Sequence, residues 1–271
     1  RWDSFGTYDS ELMARLDADC CRQADIVIAS SRDLYERCRR HNPNTHLVPH
    51  GVDHAHFATA LRSIRRRPTD LPAGRSVGFF GLISEWVDQD LLVRLARELP
   101  GAHVVLIGQA DVPVDRLTRE RNIHLLGARR YDELPAYAAE FDVGIIPFVV
   151  NDLTRAVNPV KLREMLAAGC PVVSTGLPEV EGFQRSEVGS RKSEDGGQRS
   201  AVEGRRMEAN DAVPVSVARN GDDFIRLVRE RVANPLSLAE RQRISDGVKD
   251  ETWQVKVSQI LELVARSRHD G

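Results

Sequence analysis

TRAVNPVKLREMLAAGCPVVST, residues 154–175, reads as a helix with both of its ends written into the sequence, followed by a strand. Asn158 is a favoured N-cap type, Pro159 suits the first helical position, and Gly169 suits the position just past the end, where a left-handed residue closes a helix. The spacing predicts a helix over 159–168. On it Leu162, Met165 and Leu166 share a core face, whereas Lys161 and Glu164, three residues apart, lie together on the flank. The unpaired N–H groups and positive dipole at such a helix start favour an anion, with Arg155 and Lys161 beside it. A flank carboxylate is suited to accept hydrogen bonds from paired hydroxyls. The plainer reading of the same spacing is a surface ion pair.

Outward from this stretch the same alternation recurs. From Arg75 onward, SVGFFG, HVVLIG, NIHLLG, DVGIIPF, PVVST and PVSVA are apolar runs of strand length. Between them QDLLVRLAREL, VDRLTRE, DELPAYAAEF and VKLREMLAAG repeat Leu or Ala at spacings of three and four, with charge on the other face. Each helix is expected to run about three turns. Apolar strands joined by amphipathic helices predict an α/β fold with a doubly wound parallel sheet, whose ligands sit beyond the carboxyl ends of the strands.

At the N-terminal side, residues 11–24 predict a helix, DIVIASS a short buried strand and RDLYERCRRHN a second helix. Pro49 and Gly51 in HLVPHGVD interrupt regular structure and suggest a linker. Residues 183–212 are rich in Gly, Ser and balanced charge with almost no apolar content, the composition of a disordered surface insertion. Three helices, DDFIRLVRERV, SLAERQRISDGVK and ETWQVKVSQILELVARS, close the chain.

Composition narrows the function classes. The 271 residues are 41% hydrophobic, 29% charged and 6% aromatic, which excludes collagen-like, disulfide-scaffold and wholly disordered chains. A net charge of -2 gives no basic field for unspecific nucleic-acid binding. Cys20, Cys21, Cys38 and Cys170 form no CxxC pair, as expected of reduced thiols in a cytoplasmic protein. No apolar run reaches membrane-spanning length. RWDSFGTYDSELM carries neither a starting Met nor a signal pattern, so the chain is expected to begin inside a longer protein. Asp17 with Asp19, and Asp88 with Asp90, are read as caps and solvated faces rather than metal ligands. His50, His54 and His56 are read as linker residues rather than a zinc site. No Walker A, GxGxxG or GxSxG motif is present.

The run NPVKLREMLAAGCPVVST resembles the nucleotide-sugar motif of GT-B-type retaining glycosyltransferases, the family-4-like or group 1 enzymes. ADIVIASSRDLYER, HLVPHGVDHAHF, SVGFFGLISEWVDQDLL and NIHLLGARRYDELPAYAAEFDVGIIPF resemble, in order, the end of the family's first domain, its linker, the start of its donor domain and the base-cradling segment. The resemblance implies a GT-B-like fold divided as follows: residues 1–50 the remnant of an acceptor domain, 51–74 a linker, 75–250 a Rossmann-like donor domain, and 251–271 a helix packing back on the first domain.

It also implies roles. Glu164 would hold the donor ribose, Gly127, Arg129 and Tyr131 would border the base, and Gly81 and Asn158 would contact the donor. Arg155 and Lys161 would stabilise the departing diphosphate. No cofactor or metal is expected; the partners are a nucleotide-sugar donor and a saccharide or lipid-linked acceptor, with peripheral membrane contact compatible and nucleic acid not expected. Two departures stand out. Ala156 occupies the place of the family's first Glu, eight residues before Glu164, and Leu82 and Trp86 follow Gly81 where relatives place a basic pair. They leave open a non-catalytic nucleotide-sugar-binding module, or a GT-B-shaped sugar-nucleotide epimerase, beside the transferase.

Overall fold

The computed structural model describes residues 9–62, 66–184 and 214–267. Most of the expected 183–212 insertion lies outside the described residues; its first two residues, Phe183 and Gln184, end a helix, and Gln184 donates to the Val215 carbonyl at 3.0 Å.

A small unit leads. Helix α1 (Ser10–Gln23) precedes strand β1 (Val27–Ala29), helix α2 (Arg32–Arg39) and strand β2 (Thr45–Leu47), with β1 and β2 paired in parallel. The second strand ends before Pro49 and lies ahead of the expected linker. In the expected linker, Phe57 of helix α3 (His54–Phe57), Ala60 of the following turn and Leu71 further along the chain are all buried in the core. Phe57 stacks on Phe80 at 6.0 Å, so this segment is packed against the sheet rather than merely connecting.

The main sheet contains β3 (Arg75–Phe80), β4 (Ala102–Ile107), β5 (Ile123–Gly127), β6 (Val143–Ile146), β7 (Val172–Ser174) and β8 (Val215–Val217), one strand from each of the six apolar runs. Its order is β5-β4-β3-β6-β7-β8, with every pairing parallel. Val104 to Ile107 and Val143 to Ile146 are nearly or wholly buried, as strands covered by helices on both faces must be. The connections are α4 (Gln89–Glu98), α5 (Asp115–Thr118), α6 (Leu134–Ala138), α7 (Asp152–Arg155), α8 (Val160–Ala167) and α9 (178–184). Helices α10 (Gly221–Ala233), α11 (Leu238–Asp246) and α12 (Trp253–Ser267) follow β8. The expected three turns hold for α4 but not for α5 and α6, which are four and five residues long. Their apolar residues pack down from a single turn each, with Leu117, Tyr137 and Ala138 buried.

Strand order reverses between β3 and β6: β4 and β5 extend one way from β3, while β7 and β8 extend the other way from β6. A crevice opens at such a switch point because the connecting helices leave toward opposite faces. This position sets where the site lies.

Candidate functional site

The crevice is bounded by the chain leaving β3, residues Phe79 to Trp86, and by the chain leaving β6, from Phe148 through α7 to the start of α8; it encloses about 430 Å³. Helix α8 is its most informative wall. Leu162, Met165 and Leu166 are buried in the core as expected. The helix ends in a Schellman closure: Gly169, at φ 69°, donates to the Leu166 carbonyl at 2.8 Å and Cys170 to the Met165 carbonyl at 2.9 Å.

The other end corrects the sequence reading. Pro159, not Asn158, holds the cap position in extended backbone, and the helix begins at Val160 with no side-chain cap. Asn158 turns away instead: its amide donates to the Ser30 carbonyl at 2.9 Å, and its Oδ1 accepts from Arg163 at 2.8 Å. The first-turn N–H groups of α8 are thus left without a side-chain partner beside the crevice, while Asn158 ties α8 to the β1–α2 turn.

Lys161 lies at this uncapped end. Its Nζ is 3.2 Å from Glu164 Oε2 and 5.8 Å from the centre of the Phe80 ring. The Glu164 side chain is only 6% exposed, so it is more enclosed than a flank position implies, whereas Lys161 retains 33% exposure toward the crevice. Gly81 faces the lysine: a Cβ there would come within 3.2 Å of Lys161 Cε. Tyr131 approaches from the β5 loop. Burial, together with the charges of Glu164 and Asp53, pushes its phenol up to about 12, so it remains a hydrogen-bond donor at neutral pH. The structure therefore brings Gly81, Lys161, Glu164 and Tyr131 into one electrostatic neighbourhood.

The remaining expected residues are placed differently. Gly127 ends β5 at φ 71° with open space where a Cβ would be, bordering the Tyr131 loop. Arg129 is occupied as a brace: it donates to the Tyr137 hydroxyl at 2.9 Å and pairs with Asp70. Arg155 is exposed at the last residue of α7. Ala156 is buried, Leu82 is exposed and Trp86 is packed partly against the core. Sequence reasoning missed His56, whose ring stacks on Tyr131 at 4.7 Å and whose Nε2 lies 2.9 Å from the Tyr131 carbonyl. Nothing local signals this pairing across 75 residues.

The other motifs settle as structural parts. Asp88 caps α4 by accepting from the Leu91 N–H at 2.9 Å, and Asp17 pairs with Arg37. His54 is bonded to Ser245 and His50 packs edge-on to Trp253, so the three histidines do not converge. Among the described residues no group of three or more metal-ligating side chains is found. No helix among them is long and apolar enough to cross a membrane.

Behind the site, Arg163 lies 3.2 Å from Glu251, and Lys256 lies 3.0 Å from the same carboxylate oxygen. Burial alone would raise the Glu251 carboxyl, but the hydrogen bond from Lys256 and the charges of Arg163 and Lys256 outweigh it and hold it below the ordinary value. A carboxyl lowered by folding stabilises the native state above its unfolded value, and that stabilisation is lost as pH falls through the folded value. Glu251→Gln is expected to cost about 3 kcal/mol at neutral pH, because two enclosed cations lose their counter-charge. Urea unfolding of both proteins should show the gap closing as the solution is acidified below the carboxylate range; a gap constant with pH would show that the charge contributes nothing.

Residues 74–191, which hold β3 to α8, match the family model described as Glycosyl transferases group 1. The chain is 27% identical over 257 residues to the Bacillus subtilis (strain 168) protein named "Putative teichuronic acid biosynthesis glycosyltransferase TuaH", covering 92% of this chain and 58% of that protein. Its fold is that of GT-B glycosyltransferase structures. Sucrose-phosphate synthase from Thermosynechococcus elongatus superposes with a TM-score of 0.68 at 15% identity, over 99% of this chain and 64% of that one. Anabaena HepE in complex with UDP and glucose gives 0.64 at 16% identity, over 95% and 67%.

Proposed function

We propose that this chain carries the donor site of a glycosyltransferase that moves a sugar from a nucleoside diphosphate to a hydroxyl acceptor, with retention at the anomeric carbon. The observation that carries the reading is the Lys161–Glu164 pair, 3.2 Å apart beside the uncapped start of α8, at the switch point of the sheet. Negative charge builds on the diphosphate as the bond from the anomeric carbon to the phosphate oxygen breaks. Groups already aimed at that position lower the barrier without having to reorganise. Lys161, the α8 N–H groups and, from the end of α7, Arg155 are the donors in this reading; no metal is assigned to the step. Glu164 accepts hydrogen bonds from the ribose hydroxyls, and Tyr131, steadied by His56, borders the base.

The chain spans 58% of the length of its Bacillus relative, so the acceptor side of the whole protein is read from that relative's name. In this reading the acceptor is a saccharide or lipid-linked saccharide, and that name points to polysaccharide biosynthesis. The epimerase reading would require an acid–base pair acting on the sugar, whereas the side chains around this crevice are mainly apolar. Product analysis separates the two, since an epimerase returns a free altered sugar nucleotide and a transferase does not. A binding module would take up the nucleotide and release no diphosphate in the presence of any acceptor.

Glu164→Ala tests the site directly. Loss of charge-assisted hydrogen bonds to ribose should weaken nucleoside diphosphate binding by about 1.5–3 kcal/mol. Because the carboxylate is enclosed and paired with Lys161, thermal melting must accompany the calorimetric titration. Unchanged affinity in a folded variant would remove Glu164 from the site.

A further inference from the structure

The crevice beside Lys161 is walled very differently from a site built for a fully hydroxylated sugar. Leu82 and Trp86 from the β3 side face Leu153, Val157 and Val160 from α7 and α8, with Phe148 completing the wall. The polar side chains on the same wall are already committed. Thr154 Oγ1 donates to the Val149 carbonyl and is bonded with Asn151. Asn158 donates to Ser30 and accepts from Arg163. Lys161 is the remaining charged group on this wall, and in the proposed donor site it serves the diphosphate. Ala156, close by in sequence, contributes no hydrogen-bonding side chain.

A hydroxyl pressed against such a wall loses water and gains no side-chain partner, whereas a methyl group loses nothing that it needs. The flat indole of Trp86, partly packed against the core, suits the C–H face of a pyranose better than its hydroxyl edge. We propose that the donor carries a 6-deoxy hexose, in which a methyl group stands where the parent sugar has a hydroxymethyl. Leu82, Trp86 and Val157 are its specificity-determining residues. This inference rests on the reading of the crevice as a donor site, and names the class of sugar that site accepts.

The test takes the 271-residue chain and first titrates it calorimetrically with UDP, GDP, ADP and dTDP. The nucleotide that binds is then presented as its hexose conjugate, as the 6-deoxy analogue and as the N-acetylhexosamine analogue. The 6-deoxy donor is expected to bind about tenfold or more tighter than the parent hexose. In Leu82→Gln, where an amide faces the crevice, that preference should shrink while the affinity for the bare nucleoside diphosphate holds. If the nucleotide binds but the parent hexose or the N-acetylhexosamine conjugate binds as tightly as the 6-deoxy analogue, the sugar assignment is wrong and the donor site stands. If no nucleoside diphosphate binds at all, the donor-site reading falls and takes this inference with it.

Discussion

Replacing Lys161 by Met in the full-length protein should lower transfer about a hundredfold, roughly 2.7 kcal/mol of transition-state stabilisation. Met preserves most of the aliphatic stem that passes Gly81 and the Phe80 ring, so packing changes little while the cation is lost. The discriminating readout is a pair of titrations. Affinity for a nucleoside diphosphate should fall, but affinity for the nucleoside alone should hold, since it has no phosphate for the lysine to meet. Because Leu82 and Trp86 supply no charge where the family resemblance implies a basic pair, few cations share the load in the proposed site. Arg155→Met should therefore also lower transfer by about two orders of magnitude if its exposed side chain folds over the donor. Wild-type turnover in both variants would place leaving-group stabilisation elsewhere in the protein. Loss of nucleoside binding in Lys161→Met would instead point to a disturbed site, which Glu164, left enclosed without its counter-charge, makes worth checking by thermal melting.

Gly108→Ala should destabilise the main sheet severely, by about 3 kcal/mol, although glycine to alanine is the smallest of side-chain additions. Gly108 follows β4 at φ 150°, a conformation that L side chains rarely adopt, and its missing Cβ would lie 1.8 Å from the Gly81 carbonyl oxygen. The obstacle is backbone and cannot rotate away. Gly81 is itself anchored by its N–H to the Ile107 carbonyl at 2.8 Å, so relief must come from moving the β3 and β4 ends apart. A fall in melting temperature of roughly 6–12 °C follows from that cost for a domain of this size. Any variant that survives folding should bind nucleotide more weakly, because the strand end being displaced carries Gly81 toward Lys161. A melting temperature within a degree or two of wild type would show that the strand ends are looser than this close contact implies.

Much of the architecture is readable along the chain because its causes are local. Six apolar runs became six parallel strands, and Gly169 closes α8 because only a residue free of a Cβ penalty takes that left-handed turn cheaply. The core face of Leu162, Met165 and Leu166 follows from helical periodicity alone. The shortness of α5 and α6 was not readable, since periodicity states which face is buried and not how many turns the neighbouring loops leave room for. Asn158 shows the limit most clearly. Its side chain is a good N-cap in isolation, yet it reaches Ser30, 128 residues away, and Arg163, because bonds to these enclosed partners compete with one exposed backbone N–H.

The sequence by itself determined the alternation of strands and helices, the resemblance to group 1 glycosyltransferases, and the neighbourship of Lys161 and Glu164, all of which depend on spacings of a few residues. Only the tertiary structure decided that α8 begins uncapped, that Arg129 is held by Asp70 and Tyr137, and that His56 steadies Tyr131. It alone decided, too, that Leu82 and Trp86 face Leu153 and Val157 across one apolar crevice. These are meetings of residues far apart in the chain, and their partners are chosen by how the sheet reverses its order between β3 and β6 and brings the two strand ends together.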